Sequence, residues 1–276
     1  YRDLEHVQES FKKLVDSMGD GLLIARWDEP NVRAVAADAG CEVWTYGPSM
    51  EWTGEIVSVD TEKGTMVFRV QRKGEPVLQA ETCLVGEHNL WNQVAAVAAL
   101  VREGADPAAL EAGFATFQGI KRRQEILGTP GEVTVVDDFA HHPTAVAVTL
   151  EALRLRFGER RLWAVFEPRS ATSRRNIFQS EYADAFAAAD RVIIAATADA
   201  SSIPEDERMD FGALAADLRA RGTEAVAMDR VEEIAATLGA NAMEGDVIAL
   251  LSNGGFGGIH EKVLQHLEER FGDSAG

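Results

Sequence analysis

Three observations predict an α/β fold in two parts. After residue 120, short apolar runs alternate with segments of helical apolar period; between residues 55 and 84 the pattern becomes that of short strands; and two consecutive helical segments separate these regions. The later part, of about 155 residues, is therefore expected to be a Rossmann-like, doubly wound sheet domain. A chain of 276 residues has room for it and for a second core.

The elements follow in order. Leu4 to Val15 reads as an amphipathic helix, with Leu4, Val7, Phe11, Leu14 and Val15 at helical spacing. Gly21 to Ala25 reads as a strand, Pro30 to Ala39 as a helix and Glu42 to Tyr46 as another strand, the tail of a parallel sheet. From Glu55 to Leu84, EIVSVD, TMVFRV and PVLQAETCLV are β-type runs divided by the turn signals EKG and RKGE, which predicts an antiparallel meander. Gly86 opens a helix that ends near Gly104, with Leu90, Val94, Val97 and Leu100 toward a core, and a second helix spans Pro107 to Phe117. Gln118-Gly119-Ile120 marks the expected boundary. Beyond it, strands are predicted at Val133 to Val136, Leu162 to Phe166, Val192 to Ala195, Ala225 to Ala227 and Val247 to Leu251. Helices are predicted at Thr144 to Arg156, Asn176 to Ala188, Phe211 to Arg221, Val231 to Leu238 and Ile259 to Phe271.

The chemistry is expected after the strands. VTVVDDFAHHPT reads as a buried strand whose Asp137, Asp138, His141 and His142 fall beyond its carboxyl end, where open α/β sheets place their ligand crevice. Pro143 suits the first turn of the helix that follows. The next strand leads into EPRSATSRR and the last into SNGGFGG, where glycines permit positive φ and close backbone approach. Arg169, Arg174 and Arg175 stand before a helix start, where each cation opposes the dipole by about 0.3 to 1 kcal/mol, so an anion is expected to compensate them; a solvated helix start is the alternative. His88, Asn89 and Asn92 crowd the donor-rich first turns of the long helix, as caps or as ligand contacts. GGFGG is not a dinucleotide fingerprint, because that motif belongs after the first strand.

Composition removes several classes. Lys plus Arg at 27 against Asp plus Glu at 45 gives a formal charge of -18, which disfavours a nucleic-acid surface. No apolar run approaches the roughly 20 residues of a membrane span, and YRDLEHVQES lacks a signal peptide's apolar core, so a cytoplasmic location is expected. Cys41 and Cys83 are too isolated for a disulfide framework or a zinc site. Tyr1-Arg2-Asp3, without an initiator Met, runs straight into a helix and reads as a piece of a longer protein.

Taken together, GEHNLWN, KRRQEILG, VVDDFAHHPTAV, FEPRSATSRR and LSNGGFGGIHEKVL resemble the Mur ligase family in order and spacing, over essentially the whole chain. FEPRS and SNGGFGGIHEK look most like the branch that acts in peptidoglycan recycling, joining UDP-N-acetylmuramate to L-alanyl-γ-D-glutamyl-meso-diaminopimelate. The L-alanine-adding branch is the alternative. The resemblance implies a three-domain protein of which residues 1–119 are the later half of the central ATPase domain and 120–276 the complete C-terminal domain. No G-x-x-G-K-[ST] phosphate loop occurs here, and the family's metal-binding Glu and His lie upstream, so ATP and Mg2+ are expected as cofactors while this chain alone is expected to be inactive.

The implied reaction is ATP-dependent amide formation through an acyl phosphate, with the tripeptide's amine as nucleophile. By resemblance, His88, Asn89 and Asn92 match the adenine-contacting helix start, Arg123 the linker arginine that reaches the ATP phosphates, and Asp138 the aspartate near the ribose. His141 and His142 match positions that orient the muramyl and amino substrates, and a histidine there is suited to take the amine's proton. Arg169, Ser170 and Asn253 are assigned to the tripeptide carboxylates. A reading of another class is a non-catalytic Rossmann-like binding module.

Overall fold

The computed structural model describes residues 3–170, 172–196 and 203–272. Tyr1 and Arg2 of the opening, and Ala171 of the EPRSATSRR stretch, lie outside the described residues. The chain divides into two compact units, Tyr1–Gln118 and Gly119–Gly276.

The first unit runs α1 (Leu4–Asp16), β1 (Leu22–Arg26), α2 (Pro30–Ala36), β2 (Glu42–Tyr46), β3 (Trp52–Asp60), β4 (Thr65–Arg72), β5 (Glu75–Thr82), α3 (Glu87–Arg102) and α4 (Pro107–Thr116). The parallel tail and the meander that the sequence suggests are one sheet, in the order β1-β2-β3-β4-β5, parallel at its start and antiparallel from β3 onward. β4 alternates strictly: Met66, Phe68 and Val70 are fully buried between partly exposed neighbours, so only one face of the sheet meets the core. That core is closed by Leu90, Val94, Val97 and Ala98 of α3. The helix comes in close because β3 carries Gly54, where a β-carbon would stand 2.6 Å from Val94 Cγ2 and 3.0 Å from Leu90 Cδ1.

The second unit runs β6 (Glu125–Gly128), β7 (Thr134–Asp138), α5 (Pro143–Phe157), β8 (Leu162–Phe166), α6 (Gln179–Ala185), β9 (Arg191–Ala195), α7 (Phe211–Ala220), β10 (Glu224–Met228), α8 (Val231–Asn241), β11 (Val247–Leu251) and α9 (Ile259–Phe271). Its six strands are ordered β10-β9-β8-β11-β7-β6, parallel except for the edge strand β6. One face packs on α5, α6 and α7, the other on α8 and α9, which is the doubly wound arrangement expected. β7, β8 and β11 are buried at every residue, as strands covered on both faces must be.

Three differences from the sequence reading matter. β6 is an added strand of four residues. The helix predicted from Asn176 is a short 3-10 turn, Asn176–Phe178, followed by α6. Asp137 and Asp138 do not lie beyond β7 but form its last two residues, buried, because donors from elsewhere in the unit meet their carboxylates.

Candidate functional site

At the carboxyl ends of β7, β8 and β11, three loops are tied together by a buried polar network. The Ser252 amide donates to Asp138 O at 3.0 Å and the Glu167 amide to Leu251 O at 2.9 Å, which continues the sheet ladder past its strands. Ser252 Oγ donates to the Glu167 carboxylate and accepts from the Gly254 amide at 2.9 Å. Glu167 and Ser252 are both buried, so the loop after β11 is locked onto the loop after β8 from below.

Above this network lie the exposed groups. Arg169 is exposed, and its guanidinium fills the place that a β-carbon on Gly254 would need, so this glycine serves close approach rather than positive φ. Positive φ is required further on, at Gly257 (56°) and at Gly258 (72°), the cap of α9. Ser170 is turned inward by a local turn: its hydroxyl donates to Ser173 Oγ at 2.8 Å and accepts from the Ser173 amide at 3.0 Å. Asn253 is half-buried between Ser252 and Gly254.

After β7, His141 is half-buried, with Nδ1 2.9 Å from Phe139 O, and its own carbonyl accepts a 2.6 Å hydrogen bond from the Tyr182 hydroxyl. Burial pushes the Tyr182 phenol well above its ordinary range, so it stays a donor. His142 is exposed at the cap of α5, its ring edge-on to Phe178 at 5.0 Å between centroids.

Asp138 faces inward. Its Oδ2 accepts from the Gln124 amide at 2.8 Å, and its Oδ1 from the Ala140 amide at 2.8 Å and from Thr149 Oγ1 at 3.4 Å. Burial pushes the Asp138 carboxyl up from its ordinary value, against the pull of those amides, of the Arg123 charge and of the Thr149 hydroxyl. Arg123 itself is exposed, with its guanidinium 5.7 Å from the Phe139 ring centroid.

The basic patch after β8 is less open than the sequence suggests. Arg175 Nη1 pairs with Glu207 Oε2 at 2.5 Å, so the compensating anion expected for it comes from the chain itself. Sequence reasoning also passed over three contributors, His260, Glu167 and Ser252, and read Arg122 only as part of a basic patch Lys121-Arg122-Arg123 open to a polyanion. Arg122 donates to the Asp137 carboxylate and His260 stands within ion-pair distance of it, while Glu167 and Ser252 hold the loops; all four lie inside the KRRQEILG, FEPRS and SNGGFGGIHEK stretches.

In the first unit, His88 and Asn89 are half-buried and Asn92 exposed at the start of α3, whose Gly86 cap has φ 117° and offers no side chain. Asn89 Nδ2 donates back to Val85 O at 2.9 Å. Asn92 borders an apolar cavity of about 370 Å3 between α3 and α4, lined by Leu84, Ala96, Leu110, Phe114 and Phe117. Among the described residues, no three His, Cys, Asp or Glu side chains stand together as a metal would need, and no helix is long and apolar enough to cross a membrane.

The two units match two models of one family: the Mur ligase middle domain over residues 1–100, and the Mur ligase glutamate ligase domain over residues 122–254. The chain belongs to the Mur ligase family. It is 34% identical over 274 residues to the UDP-N-acetylmuramate–L-alanyl-γ-D-glutamyl-meso-2,6-diaminoheptandioate ligase of Escherichia coli, covering 98% of this chain and 57% of that one. It is 36% identical over 276 residues to the UDP-N-acetylmuramate–L-alanine ligase of Kineococcus radiotolerans, covering 98% and 57%. The crystal structure of the UDP-N-acetylmuramate–alanine ligase of Thermotoga maritima shares the Mur ligase fold with a TM-score of 0.76 at 18% identity, over 97% of this chain and 56% of that one. The chain thus spans just over half the length of the curated relatives it matches.

Proposed function

We propose that this chain is the part of an ATP-dependent Mur ligase that receives the amino acceptor, and that the acceptor is the murein tripeptide L-alanyl-γ-D-glutamyl-meso-diaminopimelate, joined to UDP-N-acetylmuramate in peptidoglycan recycling. The observation that carries this reading is the seating of Arg169 against Gly254. It leaves an exposed guanidinium fork at the strand ends, suited to the several carboxylates that a tripeptide carries far from its amine, where L-alanine has a single one beside it.

The residues present fit a nucleotide. In the first unit, Asn92 offers an amide donor and acceptor beside an apolar cavity of a size that takes a flat ring, with His88 and Asn89 in the same helix start; in the second unit, taken by itself, Arg123 is an exposed cation suited to phosphate. When bound, ATP would supply the phosphoryl group that activates the lactyl carboxylate. The chain's own residues do the rest. His141 and His142 orient the muramyl and amino substrates, and His142, exposed at the cap of α5, takes a proton from the attacking amine. Asn253 lines the acceptor's path beside Arg169, and Ser170, its hydroxyl engaged with Ser173, holds the turn next to Arg169. Asp138 acts on the nucleotide through the linker: its carboxylate holds the Gln124 amide, next to Arg123.

A second reading, L-alanine as acceptor, is favoured by the 36% identity to the Kineococcus enzyme. The two are separated by following phosphate release from ATP in the full-length protein with UDP-N-acetylmuramate and either acceptor. Turnover with tripeptide and not with L-alanine is expected; the reverse would replace this assignment. In the same assay Arg169→Ala should raise the acceptor KM about tenfold or more and leave the ATP KM near its starting value, as loss of charge-assisted hydrogen bonds at one substrate requires.

A further inference from the structure

Arg122 and Arg123 are adjacent, yet only one of them is available to a ligand. The backbone reverses here: Arg122 (φ 60°) and Gln124 (φ 50°) both sit in the left-handed region, where non-glycine residues are strained. Two carboxylates offset that strain, Glu125 Oε2 accepting the Arg122 amide at 2.8 Å and Asp138 Oδ2 the Gln124 amide at 2.8 Å. As a result Arg123 is exposed, while the Arg122 guanidinium turns inward, over the Phe139 ring at 5.1 Å.

There it grips both sides of one residue. Arg122 Nη2 donates to Ser252 O at 2.5 Å and to Gly254 O at 2.8 Å, bracketing Asn253, and Arg122 Nε donates to Asp137 Oδ2 at 3.2 Å. His260 of α9 stands on the far side of that carboxylate, Nε2 3.2 Å from Asp137 Oδ1. The arginine's hydrogen bond to this buried carboxylate ties its pose to Asp137, while His260 lies at ion-pair distance from the other oxygen without making a hydrogen bond to it.

We infer that Arg122 is a positioning residue that fastens the loop bearing Asn253 and Gly254 to the linker bearing Arg123, with Asp137 and His260 setting its pose. The acceptor loop and the phosphate-facing arginine then keep one spacing, so that Arg122 governs acceptor binding without touching acceptor or nucleotide. The fastening stands on the geometry alone; its effect on the acceptor rests on the proposed function.

The test measures amide hydrogen exchange of this chain, without ligand, for the wild type and for Arg122→Gln, Arg123→Gln and His260→Gln. Arg122→Gln is expected to speed exchange about tenfold in residues 252–258 while β8 and β9 keep their protection, as loss of a charged hydrogen bond implies. Arg123→Gln should leave the loop unchanged and His260→Gln should loosen it to a smaller degree. Loop exchange at the wild-type rate in Arg122→Gln overturns the inference. If that variant exchanges faster throughout the unit, His260→Gln decides: a loop-confined increase supports the fastening and a wild-type profile overturns it. In the full-length protein, Arg122→Gln should raise the acceptor KM and Arg123→Gln the ATP KM, with Arg122→Lys recovering part of the loss. An altered loop with an unaltered acceptor KM would leave the fastening intact and overturn its control of acceptor binding, whereas absence of turnover with either acceptor in the wild type would remove the proposed function.

Discussion

The guanidinium of Arg169 lies in the space that a side chain on Gly254 would take. The two residues come from loops after β8 and β11, neighbours in the sheet, and their contact couples the shape of one loop to the charge of the other.

Gly254→Ala tests that coupling. The obstructing atoms are the end of an exposed, flexible side chain, so stability should change by less than about 0.5 kcal/mol. The displaced guanidinium should weaken tripeptide binding about tenfold in a calorimetric titration, the cost of about one charge-assisted hydrogen bond. Unaltered affinity would remove Arg169 from the acceptor site.

Asp138→Asn should reveal a carboxyl strained by burial. Because its folded pKa lies above the unfolded one, its contribution to stability is complete below the unfolded value of about 3.9 and is lost as pH rises through the folded value. Wild-type stability minus that of the variant, from urea unfolding, should therefore shrink as pH climbs from about 4 into the range above the raised folded value. At neutral pH the variant should still be the weaker by about 1 to 3 kcal/mol, since either amide orientation sets an NH2 against a backbone N–H. A difference that widens with pH would contradict the burial.

Asp246 marks the opposite, amino-terminal end of the sheet. It is buried and accepts from Arg161 Nη2 at 2.6 Å, from Trp163 Nε1 at 2.8 Å and from the Met243 amide at 2.9 Å. Asp246→Ala should cost about 3 kcal/mol in unfolding experiments, as stranding one partner of a buried pair does. Acceptor affinity of the folded variant should match the wild type; a loss would show that this end also reaches ligand.

Gly54→Ala should overpack the first unit. With Val94 and Leu90 buried there is no room for the added methyl, and a cost of about 1 to 3 kcal/mol is expected. Faster exchange in α3 with unchanged protection in β7, β8 and β11 is the signature; a change in the second unit instead would be the contrary result.

The elements with a clear period were legible in the sequence, including all five parallel strands of the second unit: burial on both faces writes an unbroken apolar run in β7, β8 and β11, and the edge strand β10 shows as a shorter one. β6 was not, since EILG is too short to show a period. The acidic pair was read by polarity as lying outside its strand, but the donors that permit its burial are remote: Arg122 stands 15 residues before Asp137 and meets a loop 130 residues after itself. No local window contains such a partner. The site loops were visible as motifs, whereas the inward turn of Arg122 depends on positive φ at residues that are not glycine.

The sheet order carries a further consequence. Of the six strands in this sheet β11 is the last to be synthesised, and yet it stands in the middle, with β8 on one side and β7 on the other. While a ribosome is still making residues 247–251, β7 and β8 cannot pair across that gap and each presents an open hydrophobic edge. The nascent chain must carry the β7 edge from Asp138, and the β8 edge from Phe166, until Val247 is made and insertion of the central strand closes both.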